Sequence, residues 1–88
     1  MTPKEAESYK TWATNKGTKE GFAVATSTLA PNTPEASVLT VVRKPHAGLT
    51  YSITFNIPMT KPRAESDDAF LTACKAVDRR IAAAGKKK

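Results

Sequence analysis

The sequence predicts a small α+β domain of order α-β-β-β-α, with a three-stranded antiparallel sheet and helices packed on one face. Three observations carry this reading. From Leu49 the chain alternates strictly, with Tyr51, Ile53, Phe55 and Ile57 on one side and Thr50, Ser52, Thr54 and Asn56 on the other. That period of two, rich in β-branched and aromatic residues, marks a strand with one buried and one wet face. Ser37 to Lys44 (SVLTVVRK) is a second strand, joined to the first through the short Pro45-His46-Ala47-Gly48 loop, where proline presets φ and glycine accepts positive φ. Farther on, Phe70, Ala73, Cys74, Val77, Ile81 and Ala84 recur at helical spacing and form one apolar stripe.

At the start, Thr2-Pro3-Lys4-Glu5 reads as a helix N-terminus with threonine at N-cap, proline at N1 and glutamate at N3, the capping-box arrangement. Ala6, Tyr9 and Ala13 share a face with Trp12 beside it, and Asn15-Lys16-Gly17 is the expected stop. So short a helix is marginal alone in water and must dock through Tyr9 and Trp12. Phe22 to Leu29 (FAVATSTL) reads as a threonine-containing strand, and Ala30 to Ala36 (APNTPEA) as a loop. After the hairpin, Pro58 and Pro62 force a bend. The last helix is expected to begin at a Ser66 N-cap with Asp67 and Asp68 in its first turn, and to end at Gly85. The expected core is Trp12, Phe22, Val24, Val41, Tyr51, Ile53, Phe55, Phe70, Cys74, Val77 and Ile81.

The chain of 88 residues reads as one domain over residues 1–85, followed by a basic tail at 86–88. Its hydrophobic content of 40% suffices for a core, and no apolar run approaches the ~18 residues of a membrane span. The first residues, MTPKEAESYK, lack the apolar stretch of a signal peptide, and the single cysteine permits no internal disulfide. Both point to the cytoplasm.

Little in the sequence supports catalysis. Zinc needs three or four ligands, whereas the chain has one histidine and one cysteine, His46 and Cys74, with no ligand spacing between them. Cys74 lies on the apolar stripe, where a thiol acts as a small hydrophobe. Asp67 and Asp68 are explained by the helix start, Glu5 and Glu7 likewise, and no glycine-rich phosphate loop is present. The reading is a non-enzyme without cofactor.

The net charge of +6 suits a polyanionic partner, nucleic acid or an acidic protein surface, although the same magnitude also serves plain solubility. The candidate contacts are Arg43, Lys44 and His46 at the hairpin tip, Lys75, Arg79 and Arg80 on the last helix, and Lys86, Lys87 and Lys88. For the hairpin tip the competing reading is a solvated turn, and for the helix cations it is support of the helix dipole. The alternative function is an adaptor or inhibitor of a host or regulatory protein, of the kind phages and mobile elements carry. It would use the hydroxyl and amide face of Thr50, Ser52, Thr54 and Asn56 or a strand edge. A monomer and a homodimer through an unprotected edge both remain open.

The element order is similar to that of the double-stranded-RNA-binding domain. That resemblance implies a phosphate-contacting lysine cluster at the start of the last helix, but this chain has Ser66-Asp67-Asp68 there. Its first hairpin loop, Ala30-Pro31-Asn32-Thr33-Pro34, also departs from the family's glycine-proline-histidine type. Three strands and a final helix also resemble the small DNA-binding domains of some phage integrases, which lay the sheet in the major groove. Here no arginine stands among Thr50, Ser52, Thr54 and Asn56.

Overall fold

The computed structural model describes residues 1–86; the expected contacts Lys87 and Lys88 lie outside them. The elements follow the expected order: α1 (Pro3–Lys19), β1 (Ala23–Leu29), β2 (Ser37–His46), β3 (Leu49–Pro58) and α2 (Arg63–Lys86). The strands form one antiparallel sheet in the order β1-β2-β3, and both helices cover the same face. A single apolar cluster joins Tyr9 and Ala13 of α1 to Val38 and Val42 of β2 and to Phe70, Cys74 and Val77 of α2.

Local chemistry explains the helix boundaries. Thr2 caps α1 by accepting the Glu5 N–H at 3.1 Å, while the Glu5 carboxylate accepts the Thr2 N–H at 2.8 Å. The bond from the Thr2 backbone N–H is the largest cause holding the Glu5 carboxyl below its ordinary pKa. At the other end, Gly17 does not stop α1 as the sequence suggested. It lies inside the helix, buried, where any Cβ would collide with Cγ2 of Val24. Glycine is required there because α1 crosses close over β1, and the helix ends only after Lys19.

The turn between β2 and β3 is shorter than expected. Pro45 and His46 belong to β2, and the turn consists of Ala47 and Gly48, with φ of 52° and 80°. Two consecutive left-handed residues make a type I′ turn, whose twist matches the strands it joins. β1 reaches only as far as Arg43, so Pro45 removes no bond from the β1–β2 ladder. The β2–β3 hairpin thus runs past the rest of the sheet.

Two expectations about α2 are corrected. The helix starts one turn earlier than Ser66, at Arg63, after the Pro62 carbonyl has accepted the Glu65 N–H at 3.1 Å. Ser66 is fully buried within the helix instead of capping it. Arg63 bonds Asp67 at 2.9 Å and stands 5.9 Å from the ring centres of both Tyr9 and Trp12, tying the start of α2 to α1. Nor does Gly85 end the helix, which continues to Lys86. The expected tail therefore begins as helix.

Of the expected core, only Val41 is misplaced. The register pairs Val42 with Ile53 and Val24 beneath the helices, which turns the adjacent Val41 to the outer face, half-buried. β2 carries apolar residues on both faces, so alternation alone could not choose between the valines. The core also contains an unexpected polar pair. Tyr9 and Thr40 are both 0% exposed, and their hydroxyls lie 2.9 Å apart. Burial raises the Tyr9 pKa, against a smaller opposing effect from the Thr40 bond.

Candidate polyanion interface

Both helices run in the same direction. Near their starts, the Met1 ammonium donates to the carbonyls of Met59 and Lys61, at 2.6 and 2.7 Å. Near their ends, the Phe22 N–H reaches the Gly17 carbonyl at 2.8 Å, and Lys44 Nζ meets Asp78 Oδ1 at 3.1 Å. Both C-terminal ends therefore approach the Ala47-Gly48 turn of an elongated molecule, 48 × 22 × 20 Å.

This arrangement polarises the charge. The half bearing the turn holds Lys16, Lys19, Arg43, Lys44, Lys75, Arg79 and Arg80 against Glu20 and Asp78. The opposite half holds Lys4, Lys10, Lys61 and Arg63 against Glu5, Glu7, Glu35, Glu65, Asp67 and Asp68. Two helix C-termini supply only about half a negative charge each, so the dipoles offset a fraction of the cationic excess. Lys16 and Lys19 were not among the expected contacts, because the parallel course of the helices brings them here and no local pattern announces it.

The expected contacts divide into two groups. Lys44 is engaged on the surface of the fold: its ammonium pairs with Asp78 and stands 4.6 Å from the Phe22 ring centre, half-buried. Arg80 donates from Nη1 to the Ser52 carbonyl at 3.3 Å and fastens α2 to β3. Arg43, His46, Lys75 and Arg79 are exposed. Arg43 projects from the outer sheet face, however, while Lys75 and Arg79 lie on α2 over the other face. These exposed side chains therefore lie on both sides of the sheet and do not line one groove. Lys86 belongs to α2.

Thr50, Ser52, Thr54 and Asn56 are all exposed on the outer face of β3, as expected. The face as a whole is less polar than those four residues imply. Leu39 and Val41 of β2 lie beside them, and Ala23, Ala25, Ser27 and Leu29 of β1 complete it. No helix covers it. Elsewhere a cleft of about 520 Å³ opens between the start of α1 and the end of β1, lined by Pro3, Ala6, Glu7, Lys10, Thr28 and Met59 among others.

Burial pushes the Cys74 thiol up to about 11, away from the thiolate form a nucleophile needs. Among the described residues no three His, Cys, Asp or Glu side chains gather as a metal site, and no helix is long and apolar enough to cross a membrane. No protein-family model, curated protein or solved structure matches the chain.

Proposed function

We propose that the protein is a non-enzymatic binding protein whose turn-bearing end contacts nucleic acid through its phosphates. The observation that supports this is the charge split between the halves: one half is strongly cationic and the other slightly acidic. Arg43, His46, Lys75 and Arg79 are the contacts, joined by the lysines at 86–88. Lys44 and Arg80 act indirectly by holding hairpin and helix together. Cations distributed around an end suit sequence-independent phosphate contact better than reading of base edges.

Fluorescence anisotropy with labelled mixed-sequence DNA and RNA, single- and double-stranded, tests the reading. Binding is expected at ~50 mM salt, with log affinity falling by about 0.7–0.9 per neutralised phosphate for each tenfold rise in salt. The double change Arg43→Glu with Arg79→Glu should flatten that slope. No binding to any of the four nucleic acids at low salt overturns the reading.

A second reading, an adaptor or inhibitor that docks on a cytoplasmic host or regulatory protein, is supported by the uncovered sheet face with Leu39 and Val41 at its centre. In nuclease-treated host lysate, one protein retained by the wild type and lost with Val41→Arg would favour it.

A further inference from the structure

The sheet has two edges, and the chain treats them differently. In a two-residue hairpin the closing pair, here His46 and Leu49, exchanges both main-chain bonds, and every second pair repeats the pattern. Val42–Ile53 and Thr40–Phe55 are therefore bonded pairs, and Thr50, Ser52, Thr54 and Asn56 turn their N–H and C=O groups out of the β3 edge. By the same alternation Arg43, Val41 and Leu39 bond to β1. The outward backbone groups on the other edge are then those of Val24, Thr26 and Thr28.

The β3 edge is guarded, since Arg80 occupies the Ser52 carbonyl and Pro58 closes the strand. The β1 edge has none of the devices that normally discourage pairing. Its sequence, AVATSTL, holds no charge and no proline, and the register beside β2 is continuous without a bulge. Among the described residues no side chain bonds to the backbone of Val24, Thr26 or Thr28.

We infer that β1 pairs antiparallel with β1 of a second copy about a two-fold axis at Thr26, giving a six-stranded sheet. The strand is self-complementary in this register. Thr26 faces Thr26 and Val24 faces Thr28 in bonded pairs, about six main-chain bonds in all. On the outer face Ala25 meets Ser27 and Ala23 meets Leu29, so no like charges are opposed. Charge favours a second copy as the occupant. Antiparallel pairing sets the cationic half of each copy beside the acidic half of the other.

Sedimentation equilibrium of the full chain, extended into the millimolar range, should give twice the 9.5 kDa of one chain. Thr26→Pro removes only an outward N–H and is tolerated on an edge strand; it should restore the monomer mass with the circular dichroism spectrum intact. Thr26→Cys should form a covalent dimer under mild oxidation, because bonded antiparallel pairs place Cα atoms about 5.5 Å apart, within disulfide reach. The wild type, with Cys74 buried, should not. If Thr26→Pro fails to fold, the crosslink decides. A monomer at every concentration overturns the inference, as does a dimer that Thr26→Cys leaves uncrosslinked.

Discussion

The two faces of the sheet are made by the same three strands, yet they do opposite work. Beneath the helices, Val38, Thr40 and Val42 are fully buried with Tyr9, Phe70 and Val77. On the other side the alternate residues of the same strands meet no helix among the described residues, and Arg43 and Leu29 are exposed. Stability is concentrated on one face, which leaves the other face, the β1 edge and the cationic end free for contacts with other molecules. Substitutions should therefore separate by face far more than by residue type.

The largest effect belongs to the covered side. Phe70 is 0% exposed and meets Trp12 edge-on, with ring centres 5.4 Å apart. Phe70→Ala should cost roughly 3–5 kcal/mol, read as a lowered urea midpoint with little change in slope. A midpoint unmoved by this change would break the comparison outright.

The buried hydroxyl pair sharpens it further. Tyr9→Phe leaves Thr40 without its partner and Thr40→Val leaves Tyr9 without one, so each should cost about 1–2 kcal/mol. The double variant should cost less than the sum, because both polar groups are gone. Additive costs in this double-mutant cycle would mean that the hydroxyls are not coupled.

A subtler test uses pH. Tyr9 and Cys74 both keep their protons more tightly in the fold, since burial raises both pKa values and brings Cys74 from 9.0 to about 11. Above pH 9 the unfolded chain therefore binds fewer protons than the folded one, and stability falls with rising pH. The contribution of Cys74 should be complete below pH 9 and lost progressively as pH rises through about 11. Urea midpoints across this window should decline less steeply in Cys74→Ala. An unchanged decline would remove the thiol from the explanation.

Much of this division was legible in the sequence. The alternation from Leu49 to Ile57 and the stripe from Phe70 to Ile81 each name a buried face, and the elements form as expected. Val41 was not legible, because two adjacent valines in a strand with apolar residues on both sides offer no rule for choosing one. Ser66 and Gly85 looked like helix boundaries because their residue types favour caps. Packing of α2 along the sheet outweighed that preference, as tertiary contacts commonly outweigh intrinsic propensity. The candidate interface was legible as composition only. Its cations are scattered along the chain, and they gather at one end because both helices point towards the turn. Lys44 and Arg80 looked free in sequence because their partners, Asp78 and the Ser52 carbonyl, are 34 and 28 residues away.

Val41 and Val42 provide the most direct test, being neighbours of identical chemistry on opposite faces. Urea denaturation of Val41→Ala and Val42→Ala should show a loss of about 2 kcal/mol for Val42, which is 0% exposed. Val41 should lose well under half as much. Equal losses, or the reverse order, would mean that the outer face stabilises the fold no less than the inner one, and would contradict the account.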